Sequence, residues 1–560
     1  MSKEIEHRGT QAELWLVAAI AAVVSVVAFT FYYVRGEILL YGDAVAHLNI
    51  ARRVFDSRNP GPLQLGTVWL PIPHIAQLPF VVNDWMWRTG AGGAIPSMIA
   101  YVLGVVGIFR VLRARTTRWT AWVGAGVYGL NPSLLYMQST PMTESIFLAA
   151  MIWSVVYLDK YARGLFPPGY GYGDPASLPP WKALERCGLC LFAAILTRYD
   201  GWVLAFLIGM VALWLLVKWK RTMPSEQLIA RLTRSTSAFF VLLALTPALW
   251  LAHNYAISGR PLDWFNGPYS AKAIAERTTK PTDPPYPGEK SMTVAAQHFL
   301  KAARMNMAEG RLEKWVMAAA LLGTIVAASH IGHFGALLLF WIPLPFYAYS
   351  IAYGSVPVFV PVWWPFSYYN VRYGLELLPM FAVMTALAVW AVSGIRVKRI
   401  GAVVSAMLVL MLGVGYWTSW RGDSHHPGGI RAPKPGPLCY REGLTNSRYR
   451  VEIENWIASY LRQMPPDARV LMSTGSYVGA LQTAGVDLGR SVNESTFIVW
   501  DAALSAPAVE HFVVTTSGDP VEEAVRRNPR GLEKVAEFNG PERSAAFYRS
   551  GLKLVLEKTK

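Results

Sequence analysis

Residues 14–34 read LWLVAAIAAVVSVVAFTFYYV, and residues 41–47 read YGDAVAH. The first stretch is long and apolar enough to cross the hydrocarbon core of a bilayer as one helix. The second stretch places the carboxylate of Asp43 just beyond the end of that span, in a polar loop of about sixty residues. A carboxylate in this position indicates chemistry at the surface of the membrane.

The composition of the whole chain is that of a membrane protein. Of its 560 residues, 53% are hydrophobic and 13% are aromatic, while only 16% are charged. This is too apolar for a soluble protein of the same length. We therefore predict an α-helical polytopic membrane protein with about eleven transmembrane helices. The predicted spans are 14–34, 96–112, 119–137, 142–158, 184–196, 202–217, 238–252, 315–329, 334–351, 375–392 and 400–417.

The basic residues of the short connections predict the orientation. Lys and Arg are retained on the cytoplasmic side, and they concentrate in the connections 110–118, 160–186, 218–234 and 396–399. This pattern predicts a multi-pass protein of the inner (plasma) membrane with a cytoplasmic N-terminus and an extracytoplasmic C-terminal domain. The net charge of +16 then reflects topology and contact with membrane lipids, so we expect no nucleic-acid partner.

Two loops are predicted on the extracytoplasmic side. The loop 35–95 contains an apolar stretch, 68–82, which three prolines interrupt. We interpret this stretch as a re-entrant or interfacial segment, with a twelfth span as the alternative. The loop 253–314 ends in a helical pattern over 292–307 that suits the membrane surface.

The chain after the last span predicts a separate domain. A linker rich in Pro and Gly, 421–442, divides a transmembrane domain, 1–420, from a soluble domain, 443–560. Helical and strand patterns alternate in this soluble domain, which predicts a small α/β fold. The predicted helices are 449–463 and 521–527, and the predicted strands are 469–474, 509–516, 532–538 and 545–549.

Group transfer from a phosphate-linked donor needs a base and a set of cations, and two carboxylates are candidates for the catalytic role. Asp43 is the first candidate, and a helix that starts beside it places His47 on the same face. An N-cap aspartate on a surface helix is the alternative for Asp43. Glu144 is the second candidate, because an acid at the start of a membrane helix is costly unless it faces a partner or a cavity. A capping box with Ser139 or Thr140 is the alternative for Glu144.

Further residues are candidates for substrate binding. Arg198 and Asp200 follow the fifth predicted span, as an ion pair or as part of a pocket wall. Arg372 is the preferred ligand for a lipid phosphate, because a guanidinium can grip phosphate through two parallel hydrogen bonds; a snorkelling contact with lipid headgroups is the alternative. The remaining substrate-binding candidates are His47, His74, Arg260, Tyr269, Lys272 and Tyr369.

The order of these features resembles the GT-C superfamily, specifically bacterial relatives of the protein O-mannosyltransferases and of the aminoarabinose transferase. The resemblance covers about residues 14–420 and rests on Asp43, on the QSTPMTE run that ends at Glu144, on TRYDG at 197–201 and on YNVRY at 369–373. It implies an inverting glycosyl transfer on the extracytoplasmic face, with Asp43 as general base and a polyprenyl phosphate as leaving group. The implied partners are a lipid-linked sugar donor and a saccharide, lipid or protein acceptor.

The sequence departs from this pattern at one point. Many relatives carry two adjacent acids in the first loop, whereas Asp43 stands between Gly42 and Ala44. A hard divalent ion usually requires more than one carboxylate, so we predict no metal and no other cofactor. A transporter or flippase of lipid-linked saccharides, or a non-catalytic binder of them, is the alternative function, although no internal repeat of the kind common in transporters is visible in the sequence.

Overall fold

The computed structural model describes residues 2–166, 178–222, 226–278, 282–395, 397–475, 477–540 and 543–551. The chain forms two compact units, and each unit combines segments that are distant in sequence. We call them the membrane unit (Met1–Glu37, Thr67–Pro73 and Ala94–Thr445) and the α/β unit (Ile38–Gly66, His74–Gly93 and Asn446–Lys560).

Helices dominate the described chain. In order, the α-helices are α1 (Ser2–Val34), α2 (Gly42–Arg53), α3 (Ile72–Val81), α4 (Asp84–Thr89), α5 (Ala91–Arg113), α6 (Arg118–Gly129), α7 (Pro132–Met137), α8 (Glu144–Leu165), α9 (Pro180–Ile195), α10 (Asp200–Lys220), α11 (Glu226–Ser258), α12 (Asp263–Asn266), α13 (Ala271–Thr278), α14 (Met292–Met305), α15 (Leu312–Ser329), α16 (Ile331–Phe334), α17 (Pro343–Tyr353), α18 (Leu378–Ser393), α19 (Lys398–Trp420), α20 (Leu438–Leu461), α21 (Ala480–Ala484), α22 (Trp500–Ser505) and α23 (Pro520–Arg527). Short 3-10 helices cover Pro62–Leu65, Gly335–Trp341, Val371–Leu377, Leu488–Arg490 and Pro507–Val509.

Nine helices in the described ranges are long and apolar enough to cross a membrane, and all nine overlap predicted spans. The other two predicted spans coincide with shorter elements. Residues 119–137 divide into α6 and α7, because the chain turns at Asn131-Pro132, and residues 184–196 lie in α9, which has only 16 residues. The structure therefore confirms a polytopic helical protein, and the count of eleven spans stays a prediction.

Helix α18 forms the centre of the membrane unit. It is apolar on all sides, and every residue from Leu378 to Val389 is buried. Such a helix is stable only when other helices surround it. Its neighbour α15 carries Gly323, where an added Cβ would lie 1.7 Å from the carbonyl oxygen of Met384. Glycine is required there because the two helix backbones touch.

The α/β unit contains a five-stranded sheet in the order β2-β1-β3-β5-β4. Strand β1 pairs in parallel with β2 and β3, whereas β5 pairs antiparallel with β3 and β4. The structure confirms all four predicted strands and both predicted helices of this domain. The two-residue β2, the short helices α21 and α22 and two 3-10 helices are absent from the sequence prediction. The strands are β1 (Val470–Met472), β2 (Ser491–Val492), β3 (Phe512–Thr516), β4 (Leu532–Asn539) and β5 (Ser544–Ser550).

The α/β unit also contains most of the first predicted loop. Leu48 and Ala51 of α2 share one hydrophobic core with Ile457 of α20 and Val470 of β1. The boundaries read from the sequence follow the chain and assign α2 to the transmembrane domain, whereas the compact unit joins it to residues 446–560. The predicted linker 421–442 also differs in detail, because helix α20 begins at Leu438 within it.

Candidate functional site

A buried cluster of charged side chains lies where α8, α10 and the 3-10 helix before α18 begin. Glu144, the first residue of α8, is completely buried. Its Oε1 atom is 3.2 Å from Nε of Arg372 and 3.4 Å from Nη1 of Arg198. Two guanidinium groups therefore share one carboxylate oxygen, and the structure brings together three residues that the sequence singled out.

Two further acids complete this charge cluster, which we define as Glu144, Arg198, Asp200, Arg372 and Glu376. The Nε atom of Arg198 is 3.5 Å from both Asp200 Oδ2 and Glu376 Oε1. The hydroxyl of Tyr347 accepts a hydrogen bond from Arg198 at 2.7 Å and donates one to Asp200 at 3.2 Å. Arg198 and Asp200 are thus an ion pair and also part of a larger site.

Glu376 and Tyr347 were missed by the sequence analysis. A signal for Glu376 was available, because it is an acid inside an apolar span, four residues after Arg372. No comparable signal distinguishes Tyr347 from the many other interfacial tyrosines of the chain.

The capping-box alternative for Glu144 is wrong. The N-cap of α8 is Thr143, and no side chain caps this helix. The hydroxyls of Ser139 and Thr140 donate instead to the carbonyl oxygens of Leu135 and Met137, at 2.8 and 2.6 Å. The Glu144 carboxylate therefore serves the two arginines rather than the end of its own helix.

Several carboxylate oxygens of the charge cluster accept no hydrogen bond from the part of the chain that the structure describes. Among the described residues, Oε2 of Glu144, Oδ1 of Asp200 and both carboxylate oxygens of Glu376 are buried without a hydrogen-bond partner. Burying a charge is costly unless it is paired and hydrogen-bonded. These acceptor atoms can therefore take further hydrogen-bond donors.

Helix α14 holds the segment that carries Arg372. Asn306 donates from Nδ2 to the carbonyl oxygen of Val371 at 2.9 Å. A Cβ added at Gly374 would lie 2.6 Å from the backbone nitrogen of Ala303, so only glycine allows the two backbones to approach this closely. Arg372 is therefore fixed by backbone packing on both sides of it.

The same helix carries Arg304, a cation that the sequence analysis missed. Its Nε atom is buried and has no hydrogen-bond partner among the described residues, and none of the ion pairs in the described ranges involves this side chain. Arg198 and Arg372, by contrast, already contact carboxylates. No feature of the sequence separates Arg304 from Arg311, because burial and pairing are decided only by tertiary packing.

Residues from the predicted linker also support this region. Arg441, fully buried, forms an ion pair with Glu309, and burial raises the pKa of Glu309 although Arg441 and hydrogen bonds from Ser424 oppose the shift. Glu442 accepts a hydrogen bond from the backbone nitrogen of Val371 at 3.2 Å. The end of the predicted linker 421–442 is therefore packed into the membrane unit through specific contacts.

The other cation and aromatic candidates are largely exposed. Arg260 is 60% exposed and pairs with Asp263 at 2.6 Å, and Asp263 in turn accepts a hydrogen bond from Thr67 at 2.8 Å. Tyr269 and Lys272 are exposed in the segment of α12 and α13. Tyr369 is 44% exposed, and its ring packs against Phe359 with centroids 5.7 Å apart.

The α/β unit carries Asp43 near the start of α2. The helix begins at Gly42, and its N-cap is Tyr41, which makes no side-chain cap bond. The N-cap alternative for Asp43 is therefore wrong. Asp43 lies in the first turn and is half-buried, where the partial positive charge of the helix N-terminus favours a carboxylate.

His47 and His74 form a buried pair. His47 lies one turn after Asp43, and its Nδ1 is 2.8 Å from Nε2 of His74. Burial, together with the positive charges of His47 and Arg53, lowers the pKa of His74 well below its ordinary value. One ring must donate and the other accept, so the low pKa indicates that the neutral His74 ring is the stable form.

No group of three or more His, Cys, Asp or Glu side chains that could hold a metal ion occurs in the described ranges. The metal-independent reaction stays a prediction.

Comparisons with known proteins agree on the fold. No protein-family model matches the chain, and no curated protein sequence matches it. The structure of ArnT from Cupriavidus metallidurans in the apo state superposes with a TM-score of 0.55 at 11% identity, covering 96% of this chain and 98% of ArnT. The chain therefore has the same type of fold as ArnT.

Two more solved structures are similar. ArnT from the same organism bound to undecaprenyl phosphate gives a TM-score of 0.54 at 13% identity, with the same coverage of both chains. An oligosaccharyltransferase from Archaeoglobus fulgidus covers 90% of this chain and 69% of its own, at 11% identity and a TM-score of 0.46. The two ArnT structures confirm the GT-C type of fold that the sequence resemblance implied, over nearly the whole chain.

Proposed function

We propose that the protein is an integral-membrane glycosyltransferase that moves a sugar from a polyprenyl-phosphate-linked donor to an extracytoplasmic acceptor. The observation that carries the proposal is the convergence of Arg198 and Arg372 on the buried Glu144, in a chain with the fold of ArnT. ArnT binds undecaprenyl phosphate in one of the two structures. The plasma membrane, with the C-terminal domain outside the cell, is the location that the distribution of basic residues favours.

The membrane unit supplies the cations that the donor phosphate requires. Arg304 is the first choice for direct contact, because no carboxylate among the described residues neutralises it. Glu144 would hold Arg198 and Arg372 in fixed positions, so that they stabilise charge on the leaving phosphate without reorganising.

Asp43 is the proposed base, as the resemblance to GT-C enzymes implies. In this proposal Asp43 takes the proton of an acceptor hydroxyl, whose oxygen attacks the anomeric carbon while the bond from that carbon to the phosphate oxygen breaks. The electron pair of the broken bond remains on the polyprenyl phosphate. Such a single displacement inverts the anomeric configuration. The acceptor is a saccharide, a lipid or a protein.

The test measures transfer and hydrolysis of radiolabelled polyprenyl-phosphate sugars by the purified full chain in detergent. We compare the wild type with Asp43→Asn, a near-isosteric change that removes only the charge, and with Arg304→Gln. Two controls are matched by residue type: Asp501→Asn, an exposed acid of α22, and Arg311→Gln, an exposed arginine near α15.

We expect Asp43→Asn to lower kcat at least about a hundredfold with little change in donor affinity. We expect Arg304→Gln to weaken donor binding about tenfold or more, because one charge-assisted contact is lost. Both controls should behave as the wild type. Donor binding without turnover in the wild type would overturn the proposal in favour of a transporter, flippase or binding protein.

A further inference from the structure

We infer that the C-terminal α/β domain is part of the catalytic apparatus, with Arg450 as the positioning residue for Asp43. The inference rests on the proposed function only for the role of Asp43 as base. It assigns a purpose to residues 446–560, whose patterns in the sequence indicate a fold without a function. All the contacts that carry it lie inside the α/β unit.

The first observation concerns the segment just before α2. The Nη2 atom of Arg450 donates to the carbonyl oxygens of Leu39 and Leu40, at 3.0 and 3.1 Å. These residues precede Tyr41, the N-cap of the helix that bears Asp43. One buried guanidinium therefore fixes the backbone within four residues of the proposed base.

The second observation is that Arg450 is itself held. Its Nη1 atom is 2.6 Å from Oε2 of Glu454, one turn later on α20, and the two side chains are only 13% and 5% exposed. Oε1 of Glu454 accepts a hydrogen bond from the backbone nitrogen of Gly479 at 2.9 Å. A Cβ at Gly479 would lie 2.6 Å from this carboxylate. The Glu454 side chain can therefore approach the turn at Gly479 this closely only because that residue is glycine.

The third observation is that the same turn also holds the middle of α2. Asn49 donates from Nδ2 to the carbonyl oxygen of Val478 at 2.5 Å, and its Oδ1 accepts from Nε1 of Trp87 at 2.9 Å. The turn at Val478 and Gly479 thus contacts α2 directly and, through Glu454 and Arg450, also contacts the segment that enters it. Besides the hydrogen bonds to the carbonyl groups just before it, helix α2 is therefore held at Asn49, which lies seven residues, or about 10 Å, beyond its first residue.

This arrangement matters because a general base acts only within hydrogen-bond reach of the proton it removes. An error of about 1 Å in its position can reduce the rate about a hundredfold. Apolar packing of Leu48 and Ala51 keeps α2 in the core of the unit, but packing is not directional. Hydrogen bonds to the carbonyl groups before the N-cap fix the direction in which the first turn, and hence Asp43, leaves the core.

The experiment compares Arg450→Ala, Arg450→Lys and a matched control, Arg462→Ala, in the full-length purified protein. Arg462 lies one residue beyond the end of the same helix and also donates to a backbone carbonyl, that of Thr483 at 2.7 Å, but its side chain is exposed. We measure kcat, donor KM, the unfolding temperature and amide hydrogen exchange of residues 42–53.

We expect Arg450→Ala to lower kcat at least tenfold, to leave donor KM within a factor of two, and to speed amide exchange in α2 at least tenfold. Arg450→Lys, which retains the charge and can still donate hydrogen bonds, should recover most of the rate. In an Asp43→Asn background, Arg450→Ala should have no further effect on the residual rate, because it acts through Asp43. Arg462→Ala should match the wild type in every measurement.

Three outcomes would overturn the inference. The first is that amide exchange in α2 is unchanged in Arg450→Ala. The second is that Arg450→Ala lowers kcat as much in the Asp43→Asn background as in the wild type. The third is that Arg450→Ala changes only the donor KM and leaves kcat unchanged. If Arg450→Ala fails to fold, Arg450→Gln replaces it in the exchange comparison, and Arg450→Lys remains the conservative control. If the wild type turns over no donor, the proposed function fails, while the exchange measurement still decides whether Arg450 holds α2.

Discussion

Replacing Glu144 by Gln is the sharpest test of the charge cluster. The substitution keeps the size of the side chain and one acceptor oxygen but removes the charge that Arg198 and Arg372 share at 3.4 and 3.2 Å. Removing one partner of a buried ion pair costs about 3–5 kcal/mol. Arg198 retains two other carboxylates at 3.5 Å, so we expect the lower end, about 3 kcal/mol.

The assay is thermal unfolding of the purified protein in detergent, with turnover of the donor measured in parallel. We expect a clearly lower unfolding temperature and, since two guanidiniums lose their anchor, a fall in kcat of about a hundredfold. Glu13→Gln is the control, because Glu13 also contacts two arginines, at 3.1 and 2.9 Å. Those arginines are 29% and 62% exposed, so the control should cost less than about 1 kcal/mol.

The reasoning fails if Glu144→Gln and Glu13→Gln lower the unfolding temperature equally, since the predicted difference rests on the burial of Glu144 and its arginines. It also fails if Glu144→Gln is fully active, because the arginines would then be held without this charge.

Two further changes test the packing and the titration of the structure. Gly374→Ala should destabilise the membrane unit by about 1–3 kcal/mol, because the added Cβ would meet the backbone of Ala303. The control is Gly126→Ala, which should be neutral or stabilising because nothing lies within 4 Å of the added Cβ. Equal unfolding temperatures of the two variants would contradict the prediction. The unfolding temperature should also fall as the pH drops below about 6.5, since the unfolded chain protonates His74 before the folded chain does. His74→Gln should flatten this dependence by up to about 1.4 kcal/mol per pH unit, and an unchanged pH slope in that variant would show that other groups cause it.

Membrane insertion and the C-terminal α/β elements could be read from the sequence because both depend on local hydropathy. A run of apolar residues, or an alternation of apolar and polar residues, indicates which residues in a short segment are buried. For this reason the predicted strands 469–474 and 532–538 overlap β1 and β4. Local hydropathy does not predict where an apolar run is interrupted. The run 119–137 divides into α6 and α7 because the chain turns at Asn131-Pro132.

The candidate site was only partly predictable, for a physical reason. Glu144 and Arg372 stood out because a charge at the edge of a lipid-buried helix is costly without a partner. The partner itself is chosen by packing between helices more than two hundred residues apart, about which a single sequence carries no pairing information. Arg304 therefore became visible only when its burial was known, and the partners of Glu376 could be identified only from the structure.

The sequence by itself determined that this is a polytopic membrane protein with an α/β domain after its last span, and it supplied the acids and arginines on which the proposed function depends. Tertiary structure alone decided which of those charges meet, and that the helix bearing Asp43 folds into the core formed by residues 446–560. This difference arises because the two kinds of information act over different distances along the chain. Hydropathy acts on neighbouring residues, whereas the contact between Arg450 and Leu39 joins positions 411 residues apart.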